Sequence, residues 1–396
     1  MSWIALKMLT GDKAKFFGIV LGLTFAALLI TQQGSIFCGL MLRTAGQISD
    51  ITGADLWVMD PNVRFIDDVK PMIETNLYRV RGVEGVKWAV PLYKGNGRAK
   101  LRNVDAQGVH HDVIEQVILL GLDDASLVGA PQKLWCGSYR DLRRPDAVIV
   151  DRVGLRKLFP GQGGDQSTDP AFLQRFVGRE MEMNDHRAII VGICEASRTF
   201  QSNAVVYTLY SRAKLFVPQE RKPLTFILAK TETGHSSEEV AKRIESQTGL
   251  GARTSEQFSW MTINYFLKYT GIPINFGITT VLGFLVGTAI AGQTFYNFTI
   301  ENLKQFGSLK AMGAGNWRIV EMILLQATVV GLLGYGLGVG LASVFGQANK
   351  NTELAYFTPW QLLPLTGAAV VFICILSSIL CIRRVVVLEP AVVFRG

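Results

Sequence analysis

The sequence predicts an α-helical membrane protein with four transmembrane helices, arranged as one plus three, and a mixed α/β extracytoplasmic domain inserted after the first helix. Two features predict this fold class: four long uncharged runs, and one long polar stretch between the first run and the second. The composition agrees, because 49% hydrophobic residues and a mean hydropathy of +0.26 are high for a soluble enzyme and low for a chain wholly embedded in lipid.

The four uncharged runs are long enough to cross a bilayer. A hydrocarbon core of roughly 30 Å requires about 20 apolar residues of helix. We predict spans at residues 16–42, 273–300, 319–347 and 360–382. The first span follows several lysines, as a signal peptide does, but the apolar part of a signal peptide is only about 7 to 15 residues long. An uncleaved anchor is therefore the better interpretation.

Basic residues predict the orientation of the spans. Short loops rich in Lys and Arg stay in the cytoplasm. This rule places residues 1–15, 301–318 and 383–396, both termini included, on the cytoplasmic side of a bacterial inner membrane, and residues 43–272 and 348–359 outside it. Because many basic residues are explained as topological flanks, the formal charge of +8 does not favour a nucleic-acid partner.

Residues 43–272 are predicted to form the α/β domain. Its β-rich stretches are residues 55–59, 86–92, 117–122, 147–150, 188–193, 205–209 and 225–229. Its helical stretches are residues 69–80, 152–159 and 237–248, the last with a cap at Ser236 and an end near Gly249. The region from about 121 to 215, with a glycine-rich loop at 161–164, is interpreted as an inserted subdomain.

The sequence contains no recognised motif for catalysis or for a metal. The string G-x-x-x-x-G-K-[ST], in which a lysine reaches phosphate, does not occur, so this chain is not expected to bind ATP. His110 and His111 are adjacent and would point to opposite faces of a strand, which disfavours a shared metal. Cys136 and Cys194 are the two cysteines of the polar stretch, and whether they form a disulfide stays open. We expect a non-catalytic protein.

The third span is the strongest candidate for close helix packing. It carries Gly331, Gly334 and Gly338 at helical spacing, and small residues at such spacing let helix backbones approach closely. The alternative is that membrane helices are simply rich in glycine.

The loop after the second span, Glu301 to Ala314, carries apolar residues at helical spacing. This pattern predicts a short amphipathic helix beside the membrane. By residue type alone, the helix either lies among lipid headgroups or docks a cytoplasmic partner.

Two strings in the sequence resemble a known family. FGSLKAMGA, residues 306–314, resembles the signature of FtsX-like permeases, a group that includes the MacB, LolC/LolE and cyanobacterial DevC types. LEPAVVFRG, residues 388–396, resembles the ending of the MacB and DevC members. The arrangement of one span, a large outer domain and three further spans is also similar to that family. MacB carries its ATPase at the N-terminus, whereas this chain begins almost directly with its first span and is more similar to DevC or LolC.

The resemblance implies that the loop is a coupling helix that fits a groove of a separate ATPase. The residues that match the family motif are Glu301, Phe306, Gly307, Leu309, Lys310, Ala311 and Gly313. Phe306 and Leu309 would be the apolar anchors, since buried aromatic residues concentrate interface energy. Gly313 would end the helix, and Lys310 would pair either with an acidic groove or with lipid phosphate.

The resemblance also implies the function. A permease of this family works with an ATPase subunit that binds ATP and Mg²⁺, a second permease copy or paralogue and membrane lipids, often with a periplasmic adaptor and an outer-membrane channel. It exports or extracts lipid-like, lipoprotein, peptide or drug-like cargo. One alternative is an FtsX-like regulator that activates a periplasmic hydrolase and moves no cargo. A membrane signalling receptor is a further alternative, although the cytoplasmic segments are too short for a kinase or cyclase domain.

Overall fold

The computed structural model describes residues 2–104, 110–162, 168–217, 224–350 and 352–386. Contacts within the chain divide it into a helical unit, Met1–Leu40 with Gly271–Gly396, and a sheet domain, Met41–Thr270. The C-terminal string at 388–396, part of the glycine-rich loop at 161–164 and the side chains of His110 and His111 lie outside the described residues.

The described residues contain twelve α-helices. They are α1 (Ser2–Gly11), α2 (Lys13–Asp50), α3 (Thr75–Arg81), α4 (Leu155–Leu158), α5 (Pro170–Leu173), α6 (Tyr210–Phe216), α7 (Ser237–Thr248), α8 (Ser255–Tyr269), α9 (Ile272–Glu301), α10 (Leu303–Ala311), α11 (Asn316–Ala348) and α12 (Leu362–Val386). Four helices, α2, α9, α11 and α12, are long and apolar enough to cross a membrane. The fourth predicted span begins at residue 360, whereas α12 begins at Leu362.

The helical unit has small residues at its closest helix contacts and many large apolar residues on its surface. Gly287 of α9 lies so close to Ala26 of α2 that an added Cβ would overlap the alanine side chain. On the same helix, Leu282 and Leu285 are more than half exposed. This inside-out distribution is the one expected of helices whose outer surface contacts lipid.

Helix α1 was not predicted from the sequence. It packs on α11, where the Gln326 side-chain Nε2 donates a hydrogen bond of 2.8 Å to the Ala5 carbonyl. Ala5 and Leu9 are fully buried, whereas Trp3 and Ile4 are exposed. One face of α1 therefore belongs to the core of the helical unit.

The sheet domain contains ten described strands. They are β1 (Leu56–Met59), β2 (Val86–Val104), β3 (His110–Leu122), β4 (Lys133–Gly137), β5 (Ala147–Asp151), β6 (Glu180–Met183), β7 (His186–Glu195), β8 (Ala204–Leu209), β9 (Phe226–Thr231) and β10 (Gly251–Thr254). Their order in the sheet is β10-β1-β9-β2-β3-β8-β5-β7-β4, and β6 pairs with β2 and β7. Strands of the region interpreted as a subdomain continue this sheet through β3 and form no separate sheet among the described residues.

The long strands β2 and β3 join the two ends of the sheet. They pair antiparallel from Tyr93 opposite Gly121 to Val104 opposite His110. The first part of β2 also pairs with β9, while β3 pairs in parallel with β8. Buried side chains from β2 and β3 contribute both to the core around Trp57 and to the core around Phe176.

The predicted helix at 69–80 is wrong in its first half. The chain is extended there, and Met72 forms an isolated antiparallel bridge with Leu224, its amide donating to the Leu224 carbonyl at 2.7 Å. Pro71 disfavours helix at the residue before it, and the bridge to Leu224 keeps Met72 out of a helix. The helix begins only at Thr75.

The predicted helix at 152–159 is a single turn, α4, that follows Gly154. The predicted helix at 237–248 matches α7, and Gly249 ends it with a left-handed φ of 72°. Ser236 has the extended backbone of a cap, but its side chain makes no capping hydrogen bond. Helix α8 and strands β4, β6 and β10 were not predicted.

Cys136 and Cys194 are both free thiols in the structure. They lie on the neighbouring strands β4 and β7 but are not opposite each other, since Cys136 pairs with Ile193 and Cys194 with Leu134. Burial raises the pKa of the Cys194 thiol well above its ordinary value. This cysteine is therefore a weak nucleophile and acts as a small apolar core residue.

Candidate docking loop between the second and third spans

The loop between α9 and α11 begins with a sharp break at Asn302. The Asn302 side-chain amide donates a hydrogen bond of 2.8 Å to the Phe298 carbonyl, which also accepts one of 3.2 Å from the Asn302 backbone amide at the end of α9. Helix α10 starts at the next residue. The two helices are therefore separate elements joined by one residue.

The end of α10 is set by Gly313, as the sequence predicts. Its φ is +96°, a left-handed conformation that costs glycine little. The Gly313 amide donates to the Lys310 carbonyl at 2.9 Å, and the Ala314 amide donates to the Leu309 carbonyl at 3.0 Å. These two bonds form a Schellman motif, which stops the helix and turns the chain toward α11.

The apolar face of α10 is covered by the protein itself. Phe306 is fully buried, Leu309 is 9% exposed, and both belong to the core of the helical unit. Gly307 between them is also buried. The role of Phe306 and Leu309 as anchors for a partner's groove stays a prediction, and in this structure both side chains pack within the helical unit. They hold α10 against its own helical unit.

The exposed edge of the loop carries other large residues. Met312 is 76% exposed and Trp317 is 79% exposed. Lys304, Ser308 and Ala311 of α10 are exposed as well. We call these five residues the docking edge: Lys304, Ser308, Ala311, Met312 and Trp317. Sequence reasoning missed Met312 and Trp317, although a tryptophan beside basic Arg318 in a membrane-flanking loop is a usable signal.

Two charged residues of the family motif are bound within the chain. Glu301 pairs with Lys15, which also pairs with Asp12. Lys310 donates from Nζ to the carbonyls of Val385 and Val386, both at 3.0 Å. An ammonium at the end of a helix satisfies carbonyls that lack helical partners. In the structure Lys310 therefore supports the end of α12.

The three glycines of the third span that were predicted to pack closely lie at contacts with other helices. A Cβ added at Gly334 would lie 2.5 Å from the Leu23 Cβ of α2, and one at Gly338 would lie 2.7 Å from the Thr24 carbonyl oxygen. A Cβ at Gly331 would lie 2.9 Å from the Cys374 sulfur of α12. All three distances are shorter than an ordinary carbon contact; a side chain at Gly334 or Gly338 would also meet backbone atoms of α2, whereas at Gly331 the Cys374 side chain would have to move.

No group of three or more His, Cys, Asp or Glu side chains within the described ranges is arranged to hold a metal ion.

Two family models match the chain. The MacB-like periplasmic core domain matches residues 16–247, more than half of the sequence. The FtsX-like permease C-terminal domain matches residues 277–390, which include α10 and the docking edge. The chain belongs to the MacB/FtsX family of ABC transporter permeases. The sequence-based family assignment is thereby confirmed.

Curated relatives of the permease are themselves ABC transporter permeases. An uncharacterised permease of Mycobacterium tuberculosis is 31% identical over 119 residues, 30% of this chain and 33% of the relative. A second from that organism is 29% identical over 135 residues, 34% of this chain and 38% of the relative. One from Methanocaldococcus jannaschii is 23% identical over 239 residues, 56% of this chain and 58% of the relative. The permease thus spans between about a third and three fifths of the length of these relatives.

Solved structures with some likeness to the permease come from the same kind of protein. The periplasmic region of MacB from Actinobacillus actinomycetemcomitans matches with a TM-score of 0.35 and 14% identity, over 56% of this chain and 96% of that one. The extracellular domain of the ABC-type transporter YknZ from Gram-positive bacteria matches with a TM-score of 0.34 and 14% identity, over 51% and 99%. Family membership does not depend on these weak likenesses.

Proposed function

We propose that this permease couples ATP hydrolysis by a separate ATPase subunit to motion of its sheet domain. The observation that supports this proposal best is the docking edge, where Met312 is 76% and Trp317 79% exposed beside a helix whose apolar face is buried in its own unit. Aromatic residues and methionine are enriched at the centres of protein interfaces. The absence of a phosphate-binding G-x-x-x-x-G-K-[ST] string from these 396 residues supports a partner that supplies ATP and Mg²⁺.

In this proposal the anchors differ from those that the family motif suggested. Met312 and Trp317 insert into the ATPase, while Phe306 and Leu309 transmit the resulting force because they fix α10 to the helical unit. Glu301, Gly307, Lys310, Ala311 and Gly313 shape and position the loop. The work of the permease is mechanical, and its own side chains carry out no bond chemistry.

The proposed assembly contains two permease chains, identical or paralogous, and two ATPase subunits in a bacterial inner membrane, with both permease termini in the cytoplasm. The sheet domain then lies outside that membrane, where a periplasmic adaptor and an outer-membrane channel can join it. The proposed activity is export or extraction of lipid-like, lipoprotein, peptide or drug-like cargo. Regulation of a periplasmic hydrolase without cargo is the competing outcome.

Purification of the tagged permease from its native membrane, with identification of stoichiometric partners, tests the proposal. We expect an ATPase in equimolar amount with the wild type. The variant Trp317→Glu should weaken this association about 30-fold, because an interface anchor contributes about 2 kcal/mol or more and each 1.4 kcal/mol is tenfold.

Trp360→Glu is the matched control, because Trp360 is also exposed, at 73%, but is the first residue of the fourth predicted span, at the end predicted to face the opposite side of the membrane. It should leave the association unchanged. Equal recovery of the ATPase with Trp317→Glu and with wild type would show that the docking edge does not bind the ATPase. Trp317 would then be an interfacial lipid anchor. Recovery of the wild type without any ATPase would overturn the coupling itself. Co-purification of a periplasmic hydrolase in place of an adaptor would support regulation of that hydrolase instead of export.

A further inference from the structure

A pocket of about 700 Å³ lies within the sheet domain. It is bounded by the loop after β1, the middle of β2, the loop after β7 and the end of α8. The side chains that define its chemistry are Phe65, Lys94, Thr199, Phe200, Tyr265 and Phe266. Its volume falls in the range of roughly 300–1,000 Å³ that is typical of ligand sites.

One wall of the pocket is aromatic. Phe65 stacks on Tyr265 with ring centroids 4.2 Å apart, and Phe266 contacts Phe65 at 5.6 Å and Phe200 at 5.0 Å. Phe65, Phe200 and Tyr265 are only half-buried, so part of each ring contacts solvent. A partly solvated apolar wall favours an apolar ligand, because covering it removes that surface from water.

The pocket lining also contains a charged group, the ammonium of Lys94. The residue is 3% exposed, although a lysine is rarely buried to this extent without compensating partners. Its Nζ pairs with Asp67, whose side chain is 41% exposed. Within the part of the chain that the structure describes, Asp67 is the one side-chain partner of this ammonium, which has three donors.

A second polar group in the pocket lining lacks a partner. The Thr199 hydroxyl is buried and makes no hydrogen bond to any described residue. Buried polar groups are normally hydrogen-bonded, and each exception requires an explanation. Acceptor atoms of a ligand in this pocket would give partners to the spare Lys94 donors and to this hydroxyl.

We infer that the pocket binds an amphiphile with an anionic head, a carboxylate or a phosphate, and an acyl chain. The head accepts hydrogen bonds from Lys94, and the chain packs on the aromatic wall. The lining also includes Thr270, two residues before the first residue of α9, which brings the site close in sequence to a membrane-spanning helix. Binding rests on the sheet domain alone, and only the role of this ligand as cargo rests on the proposed function.

The test is photo-crosslinking of the full permease in nanodiscs of zwitterionic lipid, without ATPase. The probe is a photoreactive fatty acid of sixteen carbons, compared with the alkylamine of the same chain length. We expect the fatty acid to label peptides containing Phe200 or Tyr265, and Lys94→Met to reduce that labelling about tenfold, the loss of one charge-assisted hydrogen bond.

The variant Asp67→Asn distinguishes an anionic head group from a cationic one, and it keeps the buried lysine. It releases Lys94 from its partner, so labelling by the fatty acid should rise. Lys230→Met is the matched control, since Lys230 also pairs with an aspartate, Asp55, at 2.7 Å but lies outside the pocket. It should leave labelling unchanged.

Three results would overturn the inference: equal labelling of wild type and Lys94→Met, preferential labelling by the alkylamine with loss in Asp67→Asn, or labelling that maps outside the pocket. Because the permease is tested without ATPase, a failure of the proposed coupling leaves this measurement unaffected. A failure here leaves co-purification of the ATPase unaffected.

Discussion

The helical unit and the sheet domain of this permease differ in how their closest contacts are made. In the helical unit these contacts are made by glycines, such as Gly334 and Gly338, and some leucines of the spans, such as Leu282 and Leu285, face outward. In the sheet domain the cores are filled by large side chains, such as Trp57 and Phe176. The difference follows from the solvent on each side: water drives large apolar groups inward, whereas lipid does not distinguish a leucine inside from one outside. Close backbone contacts at glycines therefore help to stabilise the helical unit, and large buried side chains stabilise the sheet domain.

The strongest test of this contrast uses two glycines of α11. Gly338→Leu should prevent recovery of folded permease, because a Cβ there would lie 2.6 Å from the Ala27 Cβ and 2.7 Å from the Thr24 carbonyl oxygen. Gly336→Leu should be tolerated, since nothing lies within 4 Å of its added Cβ. Size-exclusion profiles and thermal unfolding of the two variants in detergent give the comparison. Equal recovery of both would mean that the glycines reflect composition and not packing.

The corresponding test in the sheet domain removes volume. Trp57→Ala should destabilise the domain by about 3–5 kcal/mol, the usual cost of deleting a buried aromatic side chain. Trp57 is 1% exposed and contacts the rings of Phe226 and Phe258, each with centroids 5.4 Å apart. Hydrogen exchange of the full permease in denaturant measures the free energy of unfolding.

Two matched variants sharpen this prediction. Trp57→Phe should cost only about 1–2 kcal/mol, because the indole Nε1 has no hydrogen-bond partner among the described residues and most of the ring volume is kept. Trp260→Ala, at a tryptophan that is 57% exposed, should change stability by less than about 0.5 kcal/mol. A cost for Trp260→Ala equal to that for Trp57→Ala would contradict the volume rule.

Much of this architecture is predictable from the sequence, and the failures have physical causes. Long uncharged runs have no stable place except a bilayer or a large core, so α2, α9, α11 and α12 were recognised. Helix α8 was missed because its apolar residues lie on more than one face, with Phe258 buried and Trp260 57% exposed, although its capping box at Thr254 is a readable signal. The segment before α3 was misread because its apolar residues mimic a helical pattern, while Met72 in fact bridges to Leu224.

The docking loop shows a deeper limit of sequence reasoning. An amphipathic pattern identifies which residues of α10 are apolar, but it does not say whether the chain itself or a partner covers them. The structure buries Phe306 in its own unit and exposes Trp317, and for this reason the proposed anchors differ from the predicted ones. The end of the helix at Gly313 was predictable, because it depends on local backbone geometry alone.

A smaller effect is expected at the buried carboxylate of Asp151, where the sheet domain departs from simple volume filling. Its oxygens accept hydrogen bonds from the amides of Val205 at 2.6 Å and Gly154 at 2.8 Å. Burial nevertheless raises the pKa of Asp151 to about 6. Between about pH 4 and pH 6 the folded state therefore binds a proton that the unfolded state has released. Stability should fall with rising pH across that window, by at most about 3 kcal/mol, and level off above it.

Asp151→Asn should flatten this profile, because an amide does not titrate. The thermal midpoint of wild type and variant, measured from pH 4 to pH 7, gives the difference. Burial also raises the pKa of Asp50, so some slope with the same sign should remain in the variant. Identical slopes in wild type and variant would show that Asp151 is ionised in both states.

The hydrogen bonds from Lys310 to the carbonyls of Val385 and Val386 have a mechanical consequence. They tie the loop helix to the end of the last span, while Phe306 ties the same helix into the core of the unit. In the proposed mechanism, a load that the ATPase applies at Trp317 is shared between these two attachment points. A force on the loop is then expected to act on the last span, α12, as well.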